Sequence, residues 1–125
     1  MNILIIEDEA LIAKSLKKLI EMKGHNAKIV GSGIEAISLI KANSFDRIIC
    51  DLMLQDISGF DVIEESKERY SNAEISVKFI IMTAYSSGQI LEKASSYNCI
   101  VLSKPFSDIN KAIDIFIQGS GHEDS

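Results

Sequence analysis

Apolar positions along the chain fall into short continuous runs separated by stretches with helical spacing. Asn2 to Ile6 is a near-continuous apolar run, too short for a helix and suited to a strand buried on both faces. It ends at three acidic residues, Glu7-Asp8-Glu9. From Ala10 to Lys23 the period becomes helical: Ile12, Leu16, Leu19 and Ile20 share a face that Lys14, Lys17, Lys18 and Glu21 largely avoid. Gly24 closes that helix. Asn26 to Val30 reads as a second strand, Gly31-Ser32-Gly33 as a turn, and about Ile34 to Ala42 as a second helix with Ala36, Ile37 and Ile40 inward. Asn43 to Asp46 breaks the pattern before Arg47-Ile48-Ile49-Cys50, a third buried strand that delivers Asp51 at its end.

A loop from Leu52 ends at Gly59, after which a third helix places Phe60 and Ile63 on one side, with Tyr70 further along. Ser71 to Glu74 reads as a loop, and Lys78 to Met82 as a fourth strand ending at Thr83-Ala84. Ser86-Ser87-Gly88 leads a fourth helix through Ile90, Leu91, Ala94 and Tyr97. Cys99 to Leu102 is the fifth strand, followed by Ser103-Lys104-Pro105-Phe106. Ser107 or Asp108 is placed to cap a last helix, whose stripe is Ile109, Ala112, Ile113, Phe116 and Ile117. Strands alternating with helices in this way define an α/β chain: a parallel sheet, covered on both faces, of five strands and five helices. One domain over residues 1–118 is expected, with 119–125 as a flexible tail.

Composition narrows the function. The net charge of −5 disfavours a direct nucleic-acid ligand, because phosphate backbones are held mainly by Lys and Arg. No apolar run approaches the ~18–20 residues that span a bilayer, and no signal-peptide pattern opens the sequence, so a cytoplasmic protein away from membranes is expected. Cys50 and Cys99 both lie in strand-like runs and read as buried thiols, not a disulfide framework. His25 and His122 lack partners at ligand spacing, and Gly31-Ser32-Gly33 lacks the spacing of a phosphate-binding loop.

In a parallel α/β sheet the carboxyl ends of all strands emerge on one edge, where such proteins bind ligands. Here those ends carry Glu7-Asp8, Asp51, Thr83-Ala84 and Lys104-Pro105. Each has a plain alternative: acidic residues stabilise a helix N-terminus, Thr83 suits a strand end or cap, and a lone lysine is ordinarily a solvated charge. Together they put carboxylates, a hydroxyl and an ammonium on one edge. Ionised Asp8 and Asp51 brought together repel, which a divalent cation relieves. Mg²⁺ suits such a site, since it takes a few carboxylates, waters and a phosphate oxygen.

Through Glu7-Asp8, Asp51-Leu52-Met53-Leu54, Gly59, Thr83-Ala84 and Lys104-Pro105, nearly the whole chain resembles the receiver domain of two-component response regulators. The resemblance implies a flavodoxin-like doubly wound sheet of order 2-1-3-4-5. It implies Asp51 as phosphoacceptor for a sensor histidine kinase or a histidine phosphotransfer protein. The Mg²⁺ ligands it implies are side-chain oxygens of Asp8 and Asp51, the Met53 carbonyl, and Glu7 through a water. Lys104 and Thr83 would contact phosphoryl oxygens, and the Lys104-Pro105 bond would be cis. The module would assist its own phosphorylation and dephosphorylation without being an enzyme in the ordinary sense. Its output would be a changed surface for a downstream protein partner or a phosphorylation-dependent homodimer, with the fourth helix, fifth strand and last helix as reporter and Ile90, Leu91 and Val101 as candidates.

The chain departs from the family pattern at Val101, where an aromatic is common, and at Gln55, where many relatives have Pro. Met53 and Tyr85 occupy positions that influence phosphoryl lifetime in the family. Three other readings compete. A degenerate receiver would not take a phosphoryl group, and a flavodoxin-like domain would bind a nucleotide or flavin. An aspartyl phosphohydrolase would want a second carboxylate where Met53 stands.

Overall fold

The computed structural model describes residues 1–85 and 87–118. The expected tail, 119–125, and Ser86 of the expected helix start lie outside the described residues. In chain order the elements are β1 (Asn2–Ile6), α1 (Ala10–Met22), β2 (Asn26–Val30), α2 (Gly33–Ala42), β3 (Arg47–Asp51), α3 (Gly59–Ser66), α4 (Asn72–Lys78), β4 (Phe79–Thr83), α5 (Gly88–Ser96), β5 (Ile100–Ser103) and α6 (Ile109–Gln118). The strands pair in parallel in the order β2-β1-β3-β4-β5, the flavodoxin-like arrangement expected.

Strand periodicity explains why so many apolar residues are consecutive. Ile3, Ile5, Ile49, Ile80 and Met82 point to one face, where Leu16 and Ile20 of α1 and Ile113 and Phe116 of α6 cover them. Leu4, Ile6, Ile48, Cys50, Phe79 and Ile81 point to the other, under Ala36 and Ile40 of α2, Val62 and Ile63 of α3, and Ala94 of α5. A strand with a period of two and helices on both sides must be apolar at every position. The sheet is therefore a rigid platform, and its polar strand ends stand on a fixed frame.

Among the described residues there are six helices, not the five expected. Residues expected to form a loop and the start of the fourth strand instead make the short helix α4. Its cause is local: the Ser71 hydroxyl accepts the Glu74 N–H, the Glu74 carboxylate accepts the Ser71 N–H, and Ile75 is buried. Seven residues are too few to display a helical hydrophobic period. The fifth strand also begins one residue later than expected, leaving Cys99 half-buried just outside it. Asp108, not Ser107, caps α6, its Oδ1 accepting the Asn110 and Lys111 N–H groups. Gly24, at φ 89°, closes α1 as expected. Among the described residues no helix is long and apolar enough to cross a membrane.

Candidate functional site

β1, β3 and β4 are central strands, so Glu7 just past β1, Asp51 at the end of β3 and Thr83 at the end of β4 lie side by side on the carboxyl edge. All three are buried, as functional groups on a sheet edge seldom are without partners. Lys104, just beyond β5, supplies the partner. Its Nζ donates to Glu7 Oε1 at 2.8 Å and to Asp51 Oδ2 at 2.8 Å, and lies 3.5 Å from Glu9 Oε1. The Lys104 N–H donates to Thr83 O at 2.8 Å, and the Lys104-Pro105 bond is cis, as the resemblance implied.

Burial raises the Glu7 carboxyl above its ordinary range; the Lys104 hydrogen bond counters that, and the Asp51 charge adds to it. Burial alone would lower the Lys104 ammonium, but the hydrogen bonds and charges of Asp51 and Glu7 outweigh it and hold the group firmly cationic. The second oxygens are also engaged: Glu7 Oε2 accepts the Glu9 N–H at 3.2 Å, and Asp51 Oδ1 accepts the Met53 N–H at 3.0 Å.

Glu7, half-buried Asp8 and Asp51 each offer a carboxylate oxygen, and these oxygens all lie within 4.8 Å of one another. Three hard oxygen donors converging on one point fit a small divalent cation such as Mg²⁺. Lys104 offsets only part of their charge, which leaves room for a second source of positive charge.

The Thr83 hydroxyl accepts the Tyr85 N–H and donates to Tyr85 O, both at 3.0 Å, so it is tied into the β4–α5 loop. Met53 begins the exposed loop after Asp51 and bridges antiparallel to Ser58, with its side chain in solvent. Gly59 returns that loop to the strand: its N–H donates to Leu52 O at 3.0 Å, and a Cβ there would lie 2.5 Å from Asp51 O. Tyr85 is more than half exposed, and Val101 is half-buried in β5.

Two further residues, Glu9 and Asp56, were not among the expected site residues. Glu9 contributes both its N–H and its carboxylate to the cluster. Asp56 reaches from the loop to the start of α2, where it meets Ser32, Gly33 and Ile34. The first shares the acidic run with Glu7 and Asp8, whereas nothing in spacing marks the second.

An open, doubly wound α/β sheet with a carboxylate cluster and one lysine on its carboxyl edge belongs to the flavodoxin-like class, which binds ligands at that edge. Residues 3–114 match the family model for the response regulator receiver domain, and the chain belongs to that family. The transcriptional regulatory protein YvrH of Bacillus subtilis is 34% identical over 118 residues, covering 91% of this chain and 47% of that protein. The chain spans about half the length of the curated relatives it matches. The CheY-like receiver domain of a response regulator from Methylobacillus flagellatus superposes with a TM-score of 0.76 at 27% identity, covering 96% of this chain and 98% of that one. The non-phosphorylated HemR receiver domain of Leptospira biflexa shares the fold with a TM-score of 0.83 at 22% identity, over 99% and 97% of the two chains. Residues 3–114 are thus a receiver domain of the kind found in two-component response regulators.

Proposed function

We propose that Asp51 is the phosphoacceptor of a two-component relay, taking its phosphoryl group from a sensor histidine kinase or a histidine phosphotransfer protein. The observation that carries this reading is the convergence of Glu7, Asp8 and Asp51 oxygens within 4.8 Å, with the Lys104 ammonium on the two buried ones. An Asp51 carboxylate oxygen forms the new bond to phosphorus as the phosphorus–nitrogen bond of the donor histidine breaks and its imidazole keeps the electron pair. Such transfers depend mostly on positioning and on neutralising charge. Lys104 holds Asp51 in place before transfer and stays beside the phosphoryl oxygens afterwards. Thr83 can turn its hydroxyl proton from Tyr85 O to a phosphoryl oxygen while still accepting the Tyr85 N–H.

Glu7, Asp8 and Asp51, with the Met53 carbonyl, are the residues that would hold Mg²⁺. Bound there, the ion would neutralise the carboxylates and the incoming phosphoryl charge. Residues 1–118 act as the receiver unit in this reading, in the cytoplasm, with 119–125 as its tail. The output is a change in the α5–β5–α6 surface met by a downstream protein or a second copy of the chain.

The test is intact-mass spectrometry after incubation with acetyl phosphate, with and without Mg²⁺, beside an Asp51→Asn control. A Mg²⁺-dependent phosphoryl adduct absent from the control is expected. Absence of the adduct together with absence of Mg²⁺ binding would favour a degenerate receiver or a ligand-binding domain. An adduct that survives Asp51→Asn would move the acceptor elsewhere.

A further inference from the structure

We propose that Asp56 is a positioning residue for the phosphoacceptor site, clamping the loop that follows Asp51 to the start of α2. The proposal rests on the function assigned above to Asp51. Asp56 lies at the tip of the loop joining β3 to α3, and its carboxylate accepts three hydrogen bonds. Oδ1 takes the Gly33 N–H at 3.0 Å, while Oδ2 takes the Ile34 N–H at 3.0 Å and the Ser32 hydroxyl at 2.8 Å. These donors hold the Asp56 carboxyl far below the usual carboxylate range, so the clamp stays charged at any physiological pH.

The division of labour at the head of α2 is informative. The first N–H groups of a helix have no partner within it. Ser32, the local N-cap, satisfies the Glu35 N–H. The Gly33 and Ile34 N–H groups are left to Asp56, which belongs to another element. Capping of α2 is complete only when the loop is docked, so the two share one free energy. A negative charge at that helix end adds a favourable dipole interaction.

Packing beneath the carboxylate points the same way. A Cβ on Gly33 would lie 2.5 Å from Ile57 Cγ1 and 3.2 Å from Leu54 Cδ1. The absence of a side chain there lets two apolar loop residues rest on the α2 backbone under Asp56. At its base the loop is held by the Met53–Ser58 bridge and by Gly59 against Leu52 O. Clamped at both ends, the loop has little freedom, and Met53 keeps its N–H on Asp51 Oδ1. Asp56 therefore acts on the site through the loop without touching the reacting atoms.

The experiment compares wild type, Asp56→Ala, Asp56→Asn and Ser38→Gly, the last an exposed change in α2 that weakens the helix without touching the loop. Amide exchange at Met53 is read by NMR, and Mg²⁺ affinity by calorimetry. Asp56→Ala is expected to speed Met53 exchange and to weaken Mg²⁺ binding by about tenfold, the lower end for outer partners of a metal site. Asn keeps one acceptor oxygen and should fall between Ala and wild type; it carries the test if the Ala variant fails to fold. Ser38→Gly should lower the melting temperature and leave both readouts unchanged. If Asp56→Ala behaves like Ser38→Gly, Asp56 is only a helix cap and the proposal is overturned. If wild type itself binds no Mg²⁺, the functional reading falls, while Met53 exchange still decides whether the clamp exists.

Discussion

Lys104 Nζ and Asp51 Oδ2 lie 2.8 Å apart across 53 residues of sequence, and both side chains are over 90% buried. With Glu7 on the same ammonium, the arrangement is a buried cation shared by two carboxylates. Removing one member of such a group costs about 3–5 kcal/mol, because the partners remain buried and unpaired. Lys104→Met is therefore expected to lower stability by about 3 kcal/mol in urea unfolding at pH 7 without Mg²⁺. Adding Glu7→Gln should recover part of the loss, since one uncompensated charge disappears. Additive losses in the double variant would mean that the two residues are not coupled.

Gly59 tests how tightly the end of β3 is walled in. A Cβ there would meet Asp51 O at 2.5 Å and Leu52 Cα at 2.9 Å, both backbone atoms that cannot swing aside. Overpacking of this kind costs about 1–3 kcal/mol. Gly59→Ala should lower the melting temperature and slow formation of the phosphoryl adduct, because relief requires Asp51 to shift. Gly88, at the start of α5, has nothing within 4 Å of its missing Cβ. Gly88→Ala should leave the melting temperature equal or higher. A reversal of that order would contradict the packing described.

The contrast between these glycines reflects what the sequence made legible. Ile3 to Ile6 and Ile48 to Cys50 are apolar at every position because both sheet faces are covered, and that marks central parallel strands directly. Once the strands are known, topology brings Glu7, Asp51, Thr83 and Lys104 to one edge, although Glu7 and Lys104 are 97 residues apart. α4 was hidden because two turns show no period; the Ser71–Glu74 capping pair was its one sequence mark. Asp56 was hidden for a different reason. Its partners lie 22 to 24 residues earlier, and only the docked loop reveals that a loop aspartate caps a foreign helix. Local patterns expose strands and their ends, whereas contacts between loops need the assembled fold.

The two thiols should be slow to react. Burial pushes Cys99 up to about 11 and Cys50 higher still, and neither is in a disulfide. The thiolate is the nucleophile, so at pH 7 alkylation of Cys99 should be roughly a hundredfold slower than that of a free cysteine. Its rate should climb about tenfold per pH unit until near its pKa, with Cys50 following later. Iodoacetamide labelling followed by peptide mass spectrometry reads both rates. Rapid labelling of Cys50 at pH 7 in the folded protein would contradict its burial.

α5 is lightly attached, for its one buried residue is Ala94. Half-buried Ile90 adds to that small apolar face, and Tyr97 at the C-cap joins α5 to α3. The Tyr97 hydroxyl donates to Glu64 Oε2 of α3, and its ring stacks on Phe60 with centroids 6.0 Å apart. Lys93 sits 4.7 Å from the Phe60 centroid, and Lys67 joins Glu64 at 3.0 Å. The hydrogen bond from Tyr97, then that from Lys67, holds the Glu64 carboxyl below its ordinary value of 4.5. A carboxyl depressed in the folded state contributes stability that is present above 4.5 and disappears as pH falls through the folded value. Tyr97→Phe keeps the stack and loses the hydrogen bond. Its melting temperature should lie below wild type at pH 7, and the gap should close as the solution is acidified past the Glu64 titration. Tyr97→Ala loses the stack as well, so it should melt lower still and show faster amide exchange across 88–96. A gap for Tyr97→Phe that stays constant from pH 7 to acid would show that Glu64 plays no part in holding α5.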